Sequence, residues 1–248
     1  MKILITGASS GLGRAISLHY SKPNTTLYLL ARRNELLLEV AKQAREKGAI
    51  VYIYSVDVSD FDALANITKE IALKEDSLDM IIANAGVSVG HNHNGHTKFS
   101  DFKRVIDINF LSIHALLENL LPLLKSGSKV VLISSLASII TMPSSIAYSS
   151  SKRALNAYAQ GLRVLLKKDN IYLINILPGF IVSPMTDKNS FNMPFLMNTE
   201  DGVTRIIKAI EKNKKCYAFP KRFFILIKII SFLPIKVRDD LILKYSVK

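Results

Sequence analysis

Apolar runs of strand length alternate with amphipathic stretches of helix length through most of this 248-residue chain. Strands are expected at 2–6, 27–31, 51–55, 80–83, 129–134, 172–177 and 216–219, and helices at 11–21, 34–47, 61–74, 100–124, 147–168 and 200–212. Such alternation is the pattern of βαβ units in a parallel sheet, and strands so continuously apolar need cover on both faces. No repeat, low-complexity tract or long linker interrupts the series, so one α/β domain is expected.

Hydrophobic residues make up 49% of the chain, enough for a large core. A single cysteine, Cys216, excludes a disulfide framework and a cysteine-based zinc cluster. The N-terminus enters strand-like sequence without an export signal, so a reducing, cytoplasmic setting is expected. The net charge of +13 lies wholly in the second half: residues 125–248 carry 20 Lys and Arg against 7 Asp and Glu, whereas residues 1–124 carry 13 of each. No zinc-finger spacing, heptad zipper or aromatic-glycine RNA motif accompanies these cations, and nucleic acid is not expected as a partner.

Chemistry is expected in the turns. Gly7, Gly11 and Gly13, in TGASSGLG, sit between the first strand and the first helix, where glycine lets a ligand approach the backbone and helix amides face an anion. A phosphate-cradling dinucleotide turn and a merely tight β-to-α connection both fit this pattern; a Walker loop does not, because Gly13 is followed by Arg14 and Ala15. Asn84-Ala85-Gly86, Ser134-Ser135 and Pro178-Gly179 each follow an expected strand, at the edge where ligands of open parallel sheets bind. Tyr148 and Lys152 stand four residues apart on an expected helix, so they share a face. A cation beside a phenol favours the phenolate and makes tyrosine usable in proton transfer near neutrality.

Taken together, Thr6-Gly7-x-x-x-Gly11-x-Gly13, Asn84-Ala85-Gly86, Asn109, Ser135, Tyr148-x-x-x-Lys152 and Pro178-Gly179 resemble, in order and spacing, the short-chain dehydrogenase/reductase family over nearly the whole chain to about Phe219. The resemblance implies a Rossmann-like, doubly wound parallel sheet of about seven strands, with residues 1–219 forming the dinucleotide-binding and catalytic domain and 220–248 its apolar, basic tail. It implies an oxidoreductase that interconverts a carbonyl and an alcohol by hydride transfer. Tyr148 would be the general acid or base, and Lys152 would lower its pKa and hold the nicotinamide ribose. Ser135 would hold the substrate oxygen, and Asn109 would anchor a proton-relaying water. Cofactor contacts are implied at Gly7, Ser9, Ser10, Gly11, Leu12, Gly13, Asp57, Val58, Asn84, Ala85, Gly86, Pro178, Gly179, Ile181 and Ser183. Ala83 and Ser183 depart from the family's commonest Asn and Thr, and Ser183 retains the hydroxyl.

Cofactor choice falls at the end of the second strand, where a carboxylate binds a ribose 2′-hydroxyl and repels a 2′-phosphate. This chain has Ala31 there, followed by Arg32 and Arg33, whose guanidiniums suit a phosphate; Ser9 adds a hydroxyl. NADP(H) is therefore expected. The alternative from another class is a redox-sensing or scaffold protein that binds the cofactor without turnover.

His91, His93 and His96 lack a nearby carboxylate or cysteine to complete a metal shell, so a polar loop and no metal are expected there. Apolar residues in 141–145, 185–198 and the tail favour an apolar carbonyl or alcohol substrate. Ala154, Leu155, Ala157, Tyr158, Leu162 and Leu165 give the 147–168 helix a surface for a homodimer or larger homo-oligomer. The run 223–235, FFILIKIISFLPI, is too short to cross a bilayer and too apolar for a water-exposed helix. It is expected either to be buried against the pocket or a second subunit, or to make a peripheral membrane contact through its flanking cations.

Overall fold

A computed structural model of the chain describes residues 1–89, 97–188 and 193–246. Seven strands, β1 (Lys2–Thr6), β2 (Thr26–Ala31), β3 (Ile50–Ser55), β4 (Leu78–Ala83), β5 (Leu124–Ile133), β6 (Tyr172–Pro178) and β7 (Cys216–Phe219), form one sheet in the order β3-β2-β1-β4-β5-β6-β7. Every pairing is parallel. The chain reverses direction across the sheet between β1 and β4, which makes their carboxyl ends the switch point where a crevice opens.

Alternation along each strand feeds two cores. Ile3, Ile5, Leu27 and Leu29 pack with α1 (Gly11–Tyr20), α2 (Asn34–Glu46) and α7 (Thr199–Glu211). Leu4, Tyr28, Leu30 and Ile81 point the other way, into a core with α3 (Phe61–Lys74), α5 (Ser112–Leu120) and α6 (Ile146–Leu166). Because both faces are covered, the strands carry no polar side, which is why they read as continuous apolar runs.

Three elements differ from the sequence expectation. The helix expected over 100–124 is α4 (Phe99–Ile106), a π turn (Asp107–Leu111) and α5, after which Pro122 leads a short 3₁₀ turn and β5 begins at Leu124. The pattern hid the break because apolar side chains continue through it: Val105, Ile108 and Ile113 are all buried. On α6, Leu155 and Leu162 belong to the second core, leaving Ala157, Val164 and Leu165 as its exposed apolar side. The apolar tail is two helices, α8 (Lys221–Ser231) and α9 (Ile235–Ser246), separated where Pro234 cannot continue α8.

Candidate active site

The glycine turn does two separate jobs. Gly7 has φ +66°, and a Cβ there would lie 2.9 Å from the Ala85 Cα; a Cβ on Gly13 would lie 2.1 Å from the Gly7 carbonyl oxygen. Both glycines therefore serve close packing of α1 on the sheet. Gly11, at φ +52°, meets only the Ser183 Cβ at 3.4 Å, so it is the glycine whose missing side chain leaves room on the crevice side. The tight connection and the open backbone that the glycine pattern left as alternatives are thus both present, at different glycines. Ser10 precedes α1 without capping it by a side-chain hydrogen bond.

The ends of β1 and β4 are tied by polar groups. Thr6 Oγ1 accepts from the Asn84 and Ala85 amides at 3.1 Å each, and Asn84 Nδ2 donates to the Thr6 carbonyl at 3.0 Å. Thr6 is thus a structural partner of the turn that the glycine pattern alone did not single out.

Asn109 sits in the π turn, fully buried. Its Oδ1 accepts from the Val87 amide at 2.8 Å, while Nδ2 donates to the Val87 carbonyl at 2.9 Å and to Ser151 Oγ at 3.0 Å. With both amide hydrogens so occupied, the side chain fixes the segment after β4.

Lys152 is 3% exposed, and its Nζ donates to the Ile133 carbonyl at 2.8 Å and lies 5.8 Å from the centre of the Tyr148 ring. A Cβ on Gly86 would stand 3.5 Å from that Nζ and 3.4 Å from Asn109 Oδ1, so glycine there keeps this corner open. Burial pushes the Lys152 ammonium down to about 8. Burial also raises the Tyr148 phenol above the ordinary tyrosine range, and its hydrogen bond with Ser135 opposes this. Here burial and Ser135 are the influences on the phenol, and the Lys152 ammonium is turned to the Ile133 carbonyl.

Ser135 precedes a 3₁₀ turn (Leu136–Ser138) and accepts from the Ala137 amide at 3.1 Å. The loop is held by α6. Asn156 Oδ1 accepts from Ser134 Oγ at 2.7 Å and from Asn175 Nδ2 at 2.9 Å, while its Nδ2 donates to Ser138 Oγ at 2.6 Å. Arg153 Nε donates to the Ser138 carbonyl at 3.0 Å and its Nη2 to that of Ile139 at 2.7 Å. Asn156 was missed from sequence, although its position four residues beyond Lys152, on the same helix face, is a signal that was available.

At the end of β2 the two arginines part. Arg33 Nη2 donates to Ser10 Oγ at 2.6 Å and reaches Ser9 Oγ at 3.4 Å; Arg32 Nη1 pairs with Asp57 Oδ2 at 3.2 Å. Asp57 also accepts from the Ser59 amide and hydroxyl, and these bonds together with Arg32 hold its carboxyl below the usual range against the opposing effect of burial. Val58 is buried in the second core and Leu12 packs against the first. Ile181 points under α7, where a Cβ on Gly202 would meet it at 2.8 Å, so its side chain serves the core. Ser183 lies opposite Gly11, and Gly179 donates its amide to the Phe219 carbonyl at 2.7 Å. Phe180, which follows it, stacks on Phe223 of α8 at 5.9 Å, and Phe195 lies 5.7 Å from the same ring. His91, His93 and His96, and part of the 185–198 segment, lie outside the described residues.

Residues 1–193 match the family described as short chain dehydrogenase. An uncharacterized oxidoreductase of Myxococcus xanthus is 31% identical over 93% of this chain and 92% of its own length. An 11-beta-hydroxysteroid dehydrogenase-like protein of Arabidopsis thaliana is 36% identical over 84% of this chain and 68% of its own. Among solved structures, a short-chain dehydrogenase from Sphingobium yanoikuyae in complex with NADPH superposes with a TM-score of 0.79 at 21% identity, covering 88% of this chain and 87% of that one. A short-chain dehydrogenase/reductase from Burkholderia phymatum in complex with NAD gives 0.81 at 18% identity, over 92% and 91%. The doubly wound sheet, the turns gathered at its carboxyl edge and the match over residues 1–193 agree: this chain is an oxidoreductase of the short-chain dehydrogenase family.

Proposed function

We propose that the protein is an NADP(H)-dependent reductase or dehydrogenase that interconverts an apolar carbonyl compound and its alcohol. The observation that carries this reading is the buried Lys152 near the Tyr148 ring, beside the opening left by Gly86, on the same sheet edge as the Gly11 turn. A protein that only bound the cofactor would have no need of a phenol in hydrogen-bonding contact with Ser135 over a buried ammonium. The residues fit a dinucleotide: Gly11 offers an unobstructed backbone at the N-terminus of α1, and Arg33 with Ser9 and Ser10 offers a donor cluster for a 2′-phosphate. Solved relatives hold NADPH in one case and NAD in another, so the preference rests on these local groups.

When bound, the nicotinamide supplies or accepts the hydride. Tyr148 donates the phenolic proton to the carbonyl oxygen during reduction and takes it back during oxidation. Ser135 steadies that oxygen by hydrogen bonding as its charge develops. Lys152, whose buried ammonium is pushed down to about 8, would return a proton to the phenol once Nζ leaves the Ile133 carbonyl, to which it donates at 2.8 Å while standing 5.8 Å from the ring centre. Phe180, Phe195 and Phe223 make an aromatic rim beside the crevice, which favours an apolar substrate. Curated relatives are named for steroid and fatty acyl-CoA substrates, which fits that class without selecting within it. A homodimer through the exposed side of α6 completes the proposal.

The test is NADPH and NADH oxidation against ketones, aldehydes and acyl thioesters. Wild type should favour NADPH, and Arg33→Ala should lose about 10- to 100-fold in kcat/KM for NADPH while NADH changes little, as expected for losing charge-assisted bonds to a phosphate. Tyr148→Phe should lose about 100-fold or more in turnover. Equal efficiency with both cofactors in wild type would sink the NADP assignment, and full turnover by Tyr148→Phe would sink the mechanism.

A further inference from the structure

Among the described residues, the tail helices carry exposed apolar side chains. One side of α8 is used internally: Phe223 stacks in the aromatic rim, and Phe224, Ile227 and Ile230 are half-buried. The outward side carries Ile225, Leu226 and Ile229, with Phe232 just beyond the helix end; Ile229 is 59% and Phe232 77% exposed. Ile235, at the start of α9, extends the patch. Contiguous exposed aliphatic and aromatic side chains of this kind mark an interaction surface.

Charge identifies the occupant. Lys221 and Arg222 stand on the first turn of α8, Lys228 on its flank and Lys236 on α9, all exposed. Across residues 220–246 the acids are Asp239 and Asp240 alone, and Arg238 pairs with Asp239 at 3.6 Å. A second copy meeting this face across a two-fold axis would bring cation against cation with too few carboxylates to offset them. A sheet of anionic headgroups over acyl chains satisfies both halves of the pattern: aliphatic side chains enter the acyl boundary and the lysines and arginine stay among phosphates. An eleven-residue helix is too short to cross a bilayer, which needs about 20 residues, so α8 would lie in the interface plane.

We propose that the outward face of α8, with the start of α9, docks the protein on anionic phospholipid bilayers. Because Phe223 on the inner side of the same helix joins the rim of the crevice, docking holds that rim close to the membrane surface. Supply of a lipid-dissolved substrate from the bilayer is the consequence, and that consequence alone rests on the function proposed above.

Co-sedimentation of the full-length protein with phosphatidylcholine vesicles, and with equimolar phosphatidylcholine and phosphatidylserine vesicles, tests this. The protein should bind the mixed vesicles at low ionic strength and lose binding as salt rises. Combined Ile225→Ser, Ile229→Ser and Phe232→Ser substitutions should weaken binding at least about tenfold. These exposed positions should leave solution mass and turnover of a water-soluble ketone unchanged. Lys221→Gln, Arg222→Gln and Lys228→Gln should each cost about fivefold in affinity for the mixed vesicles. Failure of the wild type to sediment with mixed vesicles at low salt overturns the proposal. So does a serine variant that still binds but falls to monomer mass, since a second copy would then be the occupant. Sedimentation needs no turnover, so its outcome is independent of whether the assigned reaction is right.

Discussion

Lys152 gives the clearest prediction at the scale of one residue. Burial lowers its proton affinity to about 8, whereas in the unfolded chain the group stays protonated to about 10.4. Between those values the unfolded chain holds a proton that the native chain lacks, so this residue makes stability rise with pH across that window. Between about pH 7.5 and about pH 10 the rise should amount to about 2 kcal/mol and be absent from Lys152→Met. Denaturant titrations of both proteins at about pH 7.5 and about pH 10 read it as a difference, which removes the contribution of titrating tyrosines. Parallel behaviour of the two would mean that the ammonium is not desolvated. Gly13→Ala is the second residue-scale test: its Cβ would sit 2.1 Å from the Gly7 carbonyl oxygen, a backbone atom that cannot swing aside. A loss of about 3 kcal/mol or more is expected, with loss of NADPH binding by fluorescence, an assay simplified by the absence of tryptophan. Gly11→Ala, whose obstruction lies on the crevice side, should weaken the cofactor with a smaller loss of stability.

Among the elements, α6 acts as a bracket for the loop after β5. Asn156 makes its bonds to Ser134, Ser138 and Asn175 from a single side chain, and Ser138 Oγ donates in turn to the Ser135 carbonyl at 2.6 Å. Asn156→Leu would remove all three bonds and leave buried Asn175 without the partner of its Nδ2, while Ser134 and Ser138 keep only their bonds to the Lys152 and Ser135 carbonyls. It should lower stability by about 2 kcal/mol and reduce kcat while the NADPH dissociation constant stays near the wild-type value. A variant with unchanged kcat would show that the Ser135 loop holds its shape without this bracket. The π turn between α4 and α5 has a comparable role, since it carries Asn109 into the core beside Val87.

For the whole molecule, the exposed side of α6 and the tail are two distinct surfaces. Val164 is 66% exposed and Leu165 58%, on a helix whose opposite side is in the core. Val164→Glu with Leu165→Glu should convert a homodimer of twice the 27.6 kDa chain mass to monomer in light scattering at micromolar concentration, with little change in melting temperature. Wild type at monomer mass would overturn the dimer proposal. The same variant should keep vesicle binding, because α8 lies elsewhere.

Periodicity by itself determined the seven strands and most helix positions, because a sheet covered on both faces writes its burial directly into the sequence as apolar runs. Motif spacing likewise put forward Tyr148, Lys152, Ser135 and Asn109 as candidates, and the fold carries them on α6, on the loop after β5 and in the π turn. Tertiary structure decided what spacing cannot encode: that Gly7 and Gly13 pack inward while Gly11 faces the crevice, that Arg32 is held by Asp57 while Arg33 reaches Ser9 and Ser10, and that Leu155 and Leu162 are core. It also decided that the tail divides, one side of α8 closing on Phe180 and the other facing outward. Each of these depends on contacts between segments far apart in sequence, and a local pattern of polarity reports only that a side chain needs cover, never which distant element supplies it.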